Sequence, residues 1–285
     1  MPLRIAYLIL AHKSPPQLVR LVRRLEGPQR IFVIHIDRKS TGPEWDSAFA
    51  ALRQPNVIWA ERVACSWGDF SLVQAALNCI EALPDSPVSF DFAALLSGQD
   101  YPIKPNDYIE NFLARRRGEC LMYFHRFPYP EWQWNGYHRL PTWRFRVAGK
   151  GRRIIPARFA RGLHQKPPLG YHPCGGSQWW ALAGEVIEYV SKFVRANPEF
   201  VEYYRRALFP DEMMFHTIVG NSRFPVEPGD HHLHFMKWGK DPSPAILTEA
   251  DLAALRESEK CFARKFDFED GGALLDSVDS IAARA

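Results

Sequence analysis

Near the start of the chain lies an unbroken run of apolar residues, Ile5 to Ala11, which constrains the fold more than any other stretch. A strand that lacks apolar–polar alternation is buried on both of its faces, as strands inside parallel sheets are. Parallel strands need crossover connections, which are usually helices. The run therefore predicts an α/β protein.

The stretch that follows alternates strands and helices as a parallel sheet requires. A helix that Ser14 can cap has an apolar face from Leu18 to Leu25, and a second strand runs from Arg30 to Asp37. A helix from Glu44 to Leu52 and a strand from Asn56 to Ala60 complete a βαβαβ pattern. Such units form parallel sheets with right-handed crossovers, and ligands bind beyond the carboxyl ends of their strands.

The remaining elements are predicted to extend this sheet within a single domain, residues 1–275. Apolar periodicity and helix-start residues indicate them. The strands are Phe90–Leu96, Cys120–His125, Gly176–Leu182, Arg223–Val226 and His231–Trp238, and the helices include Asp107–Arg117 (which Asn106 can cap), Glu185–Val194 and Thr248–Arg256. The polar residues 276–285 are expected to form a frayed tail.

A short apolar helix is predicted to begin at Pro210, whose fixed φ and missing N–H suit the first helical position. This start places Glu212 in the first turn, where the helix dipole favours an ionised carboxylate. A carboxylate held in this way can serve as a general base. The local pattern by itself favours a simpler interpretation, in which Asp211 and Glu212 are ordinary acids at a helix start.

Residues 132–173 form an irregular insertion with an unusual charge. No Asp or Glu occurs from Trp132 to Gly184, and nine Lys or Arg residues are interleaved with aromatic side chains between Trp132 and Lys166. The segment can be a solvated face, but a cationic stretch without counter-acids favours an anionic ligand. Nucleic acid, a phosphorylated or acidic glycan and a lipid headgroup surface all fit this chemistry.

Histidines cluster at His231, His232 and His234, close to Asp230, and His216 is a further candidate ligand. A metal site is one interpretation, but the spacing matches no HExxH or comparable motif. A hydrogen-bonded strand edge is the favoured alternative. Phosphate-binding motifs of the P-loop and GxGxxG types and a GxSxG nucleophile elbow are absent from the sequence.

Five scattered cysteines without CxxC spacing indicate reduced thiols rather than disulfides or a zinc site. The N-terminal apolar run is too short for a signal peptide or a membrane span. We therefore expect a soluble, cytoplasmic protein that can also lie peripherally at the inner face of the membrane.

Seven short stretches occur in collinear order across nearly the whole chain. They are Ala6–His12, Ile34–Ser40, Ser66–Gln74, Leu96–Lys104, Gly175–Trp180, Pro210–Thr217 and Phe262–Phe266. Each alone is weak, but together they resemble the core-2/I-branching β-1,6-N-acetylglucosaminyltransferases and the protein O-xylosyltransferases, with their bacterial relatives. The segment from about Trp132 to Pro173 matches least, which is where acceptor specificity would lie.

The resemblance implies a GT-A-like fold, in which helices flank a mixed, mostly parallel sheet. It also implies transfer of GlcNAc or xylose from a UDP-sugar to a hydroxyl, with inversion at the anomeric carbon and without a metal or other cofactor. Glu212 would be the general base. The residues that would bind the donor are Ala11, His12, Asp37, Ser66, Trp67, Gly68, Gln178, Trp179, Arg264 and Lys265.

Within this donor site, Asp37 would bind the uracil or ribose, and Arg264 and Lys265 would hold the diphosphate. Two fixed cations can stabilise the charge that develops on departing UDP, as a metal ion does in other transferases. Ordinary surface charge is the alternative for this pair. Trp180 and Trp238 are candidates for stacking on the acceptor sugar, although core packing is the alternative for tryptophans.

The chain departs from the xylosyltransferase pattern at Gln178, where those enzymes carry Asp after Gly-Ser. The departure gives Glu212 more weight as the base. We expect a glycan or lipid-linked acceptor, anionic ones included, in the synthesis of bacterial surface polysaccharide or lipid-linked glycan, and no nucleic acid partner. The alternative function is a non-catalytic glycan- or nucleic-acid-binding module that uses residues 132–166.

Overall fold

The computed structural model describes residues 3–83, 90–141, 164–239, 241 and 243–282. Most of the basic insertion, residues 142–163, lies outside them. The strands are β1 (Ile5–Ala11), β2 (Arg30–Ile36), β3 (Val57–Trp59), β4 (Phe92–Ser97), β5 (Tyr101–Pro102), β6 (Cys120–Arg126), β7 (Cys174–Ala183), β8 (Gly229–Asp230), β9 (His234–Met236) and β10 (Phe262–Arg264). The helices are α1 (Pro15–Leu25), α2 (Pro43–Ala51), α3 (Ser71–Glu81), α4 (Asn106–Ala114), α5 (Gly184–Ala196), α6 (Pro198–Tyr204), α7 (Met214–Gly220), α8 (Leu252–Glu257) and α9 (Phe268–Ala282).

The main sheet has the strand order β3-β2-β1-β4-β7-β6-β8. The pairs β1–β2, β1–β4 and β2–β3 are parallel, whereas β7 is antiparallel to both β4 and β6. Strand β6 consequently runs in the same direction as β4. The prediction of an α/β fold with a mostly parallel sheet is confirmed, and the arrangement is consistent with a GT-A-like fold.

A second, three-stranded sheet with the order β5-β10-β9 lies beside the first. In it β10 pairs parallel with β9, with Arg264 opposite Met236, and antiparallel with β5. This sheet brings β10, which contains Arg264, next to the residues that follow β4.

The core is continuous from β1 across the main sheet, because β1 is buried along its whole length, as its apolar run predicts. Tyr7 on β1 stacks on Phe32 of β2 with ring centroids 5.6 Å apart, and α3 packs on both strands. The carboxyl ends of β1, β2 and β4 therefore form a fixed edge on which a ligand site can be built.

Residues 276–282 of the expected frayed tail are instead helical, since α9 extends from Phe268 to Ala282, and residues 283–285 lie outside the described residues. Asp276 and Asp279 of this helix pair with Arg20 of α1 at 2.6 and 2.7 Å, and Arg24 reaches Asp279 at 3.0 Å. Leu275 and Val278 are buried against the core. The polar residues that suggested a tail form the exposed face of a docked amphipathic helix.

Several smaller predictions about helix caps and strands are wrong, and one is confirmed. Within the described structure, Ser14 makes no capping hydrogen bond, and its φ of 51° is left-handed. Asn106 is the first residue of α4 rather than its cap, because its side chain donates to the carbonyls of residues 24 and 26. Residues 223–226 form no strand in the described chain, and His231–Trp238 is extended only over β9. The cap at Thr248 is confirmed, since Thr248 and Asp251 form a capping box.

Candidate active site

One cleft of about 880 Å³ opens at the carboxyl edge of the main sheet. It brings together residues from distant parts of the chain, eight of which were predicted from sequence as site residues. The predicted residues that line it are His12, Trp67, Gln178, Trp179, Glu212, Trp238, Arg264 and Lys265. A carboxylate and two cations thus share one cavity.

Glu212 lies in a 3₁₀ turn, Pro210–Glu212, and not in the first turn of the apolar helix as predicted. Met213 has a non-helical backbone conformation, with φ −136° and ψ −42°, and it separates this turn from α7. The turn packs on β7, where a Cβ added to Gly175 would lie 3.1 Å from the Glu212 carbonyl oxygen. Packing on the sheet, rather than the dipole of a continuous helix, therefore positions the carboxylate.

Glu212 is ion-paired with Arg139, a residue that sequence reasoning did not single out. The guanidinium of Arg139 lies 3.8 Å from the ring centroid of Trp132, which also lines the cleft. Both residues come from the start of the basic, aromatic insertion. The composition of that insertion was the available signal, but it could not indicate which cation reaches the carboxylate.

Asp211 is not an exposed helix acid, because it is only 6% exposed and lines the cleft. Burial, and secondly the adjacent Glu212 carboxylate, raises the pKa of Asp211 to about 7. Its Oδ1 has no hydrogen-bond partner among the described residues. A carboxyl group that titrates near neutrality thus sits next to the predicted base.

Arg264 is 7% exposed and lies flat on Trp179, with its guanidinium carbon 4.0 Å from the ring centroid. Asp100, which is fully buried, holds it at 3.3 Å and also bonds His234 at 3.0 Å. In the part of the chain that the structure describes, Nη1 of Arg264 faces Asp100 without forming a hydrogen bond, and Nε has no hydrogen-bond acceptor. This guanidinium is oriented and retains capacity to bind an anion.

Lys265 follows Arg264 into the cleft. Burial lowers the pKa of Lys265, and the positive charges of Arg264 and Lys13 lower it further. Burial is also the main cause of the lowered pKa of Arg264, which Asp100 partly offsets. The positive charges of Arg264 and Lys13 next to Lys265 create a positive potential, which favours a ligand with more than one negative charge.

Four predicted donor residues adjoin the cleft without lining it: Ala11, Asp37, Ser66 and Gly68. Ala11 and Asp37 are joined at the strand ends, where the Asp37 N–H donates to the Ala11 carbonyl at 2.8 Å. The Asp37 carboxylate accepts a hydrogen bond from the Lys39 N–H at 2.9 Å. His12 continues from β1 into the cleft, and burial followed by the charge of Lys13 lowers its pKa.

The Ser66–Gly68 loop is packed against the residue that begins the Glu212 turn. Trp67 is 69% exposed and meets the Phe209 ring edge-on, with centroids 4.8 Å apart. Gly68 has φ +73°, and an added Cβ would lie 2.9 Å from the Phe209 ring, so only glycine fits. The loop and the turn that carries Glu212 are therefore in direct contact.

The tryptophans divide into two groups. Trp179 lines the cleft beneath Arg264, and Trp238, 62% exposed, stands at its rim. The prediction that Trp180 contacts the acceptor is wrong, because this side chain is 1% exposed and packs against Phe215 in the core. Alternation along β7 sends adjacent tryptophans to opposite faces.

The histidines singled out in the sequence lie in different surroundings. No group of three or more His, Cys, Asp or Glu side chains among the described residues is arranged to hold a metal ion. His216 is buried and its Nε2 bonds the Tyr123 carbonyl at 3.1 Å, whereas His232 and His234 line the cleft.

Of the helices that the structure describes, none is long and apolar enough to span a bilayer.

Comparison with known proteins identifies the family of the chain. A family model described as Core-2/I-branching enzyme matches residues 5–256. Xylosyltransferase 2 of Canis lupus familiaris is 28% identical over 98% of this chain and 33% of its own length. Xylosyltransferase oxt of Drosophila melanogaster is 27% identical over 93% of this chain and 32% of its own length. The chain therefore spans about a third of these relatives, and it belongs to the Core-2/I-branching enzyme family, a family of glycosyltransferases.

Proposed function

We propose that this protein transfers a sugar from a UDP-sugar to a hydroxyl group, with inversion at the anomeric carbon and without a metal ion. The observation that carries the proposal is that one cleft contains the Glu212 carboxylate together with the Arg264 and Lys265 cations. These groups come from separate elements of the chain. Membership of the Core-2/I-branching family supports the same chemistry.

In the proposed reaction, the acceptor oxygen forms a bond to the anomeric carbon while Glu212 takes its proton. The bond between that carbon and the β-phosphate oxygen breaks, and UDP leaves with the electron pair. Arg264 and Lys265 stabilise the negative charge on the diphosphate. Oriented cations stabilise a developing charge strongly when the site is partly enclosed. Proton removal by a positioned carboxylate typically contributes about 10²- to 10⁴-fold.

The nucleotide is assigned to the strand ends at Ala11, His12 and Asp37, next to the Ser66–Gly68 loop. A carboxylate at this position can accept hydrogen bonds from ribose hydroxyls or from the uracil N–H. Gln178 and Trp179 lie on β7, the strand on which the Glu212 turn packs, and both line the cleft, which suits contact with the transferred sugar.

Xylose and GlcNAc are the sugars we propose to test first, because the relatives are named as xylosyltransferases and the family as core-2/I-branching enzymes. The acceptor is proposed to be a hydroxyl of a glycan or a lipid-linked glycan, as in the synthesis of a surface polysaccharide. The exposed Trp238 at the rim supports a sugar-stacking role.

Calorimetric titration with UDP-xylose, UDP-GlcNAc, UDP-glucose and UDP-galactose tests this function. A transferase is expected to bind UDP and to prefer one of these sugars, and turnover then follows from UDP release in the presence of acceptor. A non-catalytic glycan- or nucleic-acid-binding module would ignore UDP. Absence of UDP binding would therefore overturn the proposed function, and binding without turnover would identify a catalytically inactive relative.

A further inference from the structure

A second cavity of about 930 Å³ adjoins the active-site cleft. The two cavities are lined in common by Asp230, His232 and Lys260. These residues lie on and after β8, the edge strand, and before β10. The wall that separates the two spaces is therefore built from an acid, a histidine and a lysine.

The three side chains form one connected group. The Nδ1 atom of His232 lies 2.5 Å from Asp230 Oδ1, and Lys260 Nζ donates to the same oxygen at 2.7 Å. Lys260 also donates to the His232 carbonyl at 2.8 Å. Because Asp230 accepts from Nδ1, the proton of a neutral His232 is on that nitrogen and its Nε2 is a bare acceptor.

His232 is 6% exposed, and its Nε2 has no partner within the described chain. A buried acceptor without a donor is costly, so such atoms usually await a ligand or a water. Burial is the main cause of the lowered pKa of His232. Burial raises the pKa of Asp230, but the hydrogen bonds from His232 and Lys260 outweigh it, and the pKa lies well below its usual range.

The charges of this group select the kind of ligand. Asp230 and Lys260 neutralise one another, and the neutral imidazole presents an acceptor nitrogen. A carboxylate or phosphate has no proton to donate to Nε2, whereas a sugar hydroxyl has one. The group is thus suited to a neutral, hydroxyl-bearing ring.

The position of the group assigns that ring to the acceptor rather than to the donor. His232 follows β8, the edge strand that is far in the strand order from β1 and β2, where the nucleotide is assigned. Its ring lies 6.0 Å from the His234 ring, which in turn lies 6.0 Å from the ring of Trp179. The second cavity leaves room for an acceptor that continues past the reacting sugar.

We propose that His232, oriented by Asp230 and Lys260, binds a hydroxyl of a neutral acceptor glycan through its Nε2 atom. This inference rests on the proposed transfer reaction and adds a specificity-determining residue to it. Asp230 and Lys260 are positioning residues, because they act on the ligand through the imidazole.

Imidazole ¹⁵N NMR of histidine-labelled protein saturated with UDP tests the proposal without requiring the natural acceptor. The probes are methyl β-glycosides of glucose, galactose and xylose, with the methyl glycosides of glucuronic and galacturonic acid as charged counterparts. The His232 resonance is assigned by its loss in His232→Gln. We expect neutral glycosides to shift Nε2 of His232 towards the hydrogen-bonded value and to bind in preference to the uronides.

Variants then measure the contribution of this contact. We expect His232→Leu to weaken neutral-glycoside binding roughly 2- to 12-fold, as for loss of one neutral hydrogen bond, and to leave UDP affinity unchanged. His232→Gln keeps an acceptor oxygen and should lose less. His231→Leu is the matched control, because His231 is the exposed neighbour that lines the same second cavity, with its Nε2 atom 3.3 Å from the Pro228 carbonyl and 3.9 Å from Glu227.

The outcomes separate this inference from the proposed function. UDP binding with no glycoside response at Nε2, preference for the uronides, or an equal loss in His231→Leu would overturn the acceptor subsite alone. Failure of the unmodified protein to bind UDP would overturn the transfer reaction and the subsite with it. The NMR result on unmodified protein stands even if His232→Leu fails to fold.

Discussion

Arg139 forms an ion pair with Glu212 while its guanidinium rests on the indole of Trp132. The proposed base is therefore held by a cation from the insertion that matches the family least. Because Trp132 fixes one face of the guanidinium, the pair has little freedom to rearrange. The arrangement couples the position of the catalytic carboxylate to the segment that we expect to contact the acceptor.

Replacing Arg139 with alanine is expected to lower kcat by about 10- to 100-fold, because a misplaced catalytic group loses much of its effect. UDP affinity should remain within error of the unmodified protein. Steady-state kinetics with calorimetry of UDP checks both expectations. Arg205→Ala is a matched control, since Arg205 is also stacked on an aromatic ring, 4.2 Å from the centroid of Phe70. Unchanged kcat in Arg139→Ala would show that the ion pair has no part in turnover.

Glu212→Gln is expected to reduce transfer by about 10²- to 10⁴-fold while UDP still binds, because the amide cannot take the acceptor proton. Single-turnover measurement with saturating donor separates chemistry from binding. Glu199→Gln is the control, because Glu199 is an exposed acid in the first turn of α6 after Pro198. Full turnover in Glu212→Gln would assign the base to another residue, of which Asp211 is the nearest in sequence.

The sequence predicted those parts of the fold and site that depend on local patterns. The bounds of β1 match the prediction because a continuous run of seven apolar residues is typical of a strand buried on both faces. Glu212, Arg264 and Lys265 were identified through short stretches in collinear order, and the cleft brings all three together.

Long-range packing determines the features that local patterns could not predict. The helix predicted from Pro210 is interrupted at Met213, because the Glu212 turn packs on β7 at Gly175, which is distant in sequence. The partner of Glu212 and the burial of Trp180 likewise depend on contacts that form only in the folded chain. Helix α9 was missed because its stability comes from docking on α1 rather than from helix propensity.

Lys265→Ala is expected to weaken UDP binding by about 10- to 150-fold, the effect of losing a hydrogen bond between charged groups. Lys265 is the informative target, because removal of Arg264 would also leave Asp100 as a buried, less compensated charge. Titration with UDP and with uridine distinguishes the phosphate contact, since uridine affinity should be unchanged. Lys192→Ala, on the exposed face of α5, serves as the control. Equal losses for UDP and uridine would contradict the assignment of Lys265 to the diphosphate.

Chelation of divalent metal ions is expected to leave the transfer rate intact, because the proposed reaction relies on the two protein cations to stabilise UDP. The measurement is turnover in EDTA compared with turnover after added Mn²⁺ or Mg²⁺. A rate that falls in EDTA and returns with Mn²⁺ would contradict the two-cation mechanism, whatever the identity of the transferred sugar.

The buried Asp211 carboxyl gives the protein a specific dependence of stability on pH. Its pKa is about 7 in the folded protein, against an ordinary value of 3.8, and the main cause is burial. A carboxyl whose pKa is raised by folding stabilises the folded state at low pH. That contribution is lost as the pH rises from about 4 to about 7, by at most about 1.4 kcal/mol per pH unit.

Asp211→Asn is expected to remove this contribution, because the amide stays neutral across the whole range. Denaturant unfolding between pH 4 and pH 8 should show that the free energy of unfolding falls less steeply with pH in Asp211→Asn than in the unmodified protein. Asp107→Asn, which changes an exposed acid in the first turn of α4, should leave the pH profile unaltered. If the profiles of Asp211→Asn and the unmodified protein run parallel over this range, Asp211 does not retain its proton near neutrality, and its burial next to Glu212 must be compensated by another group.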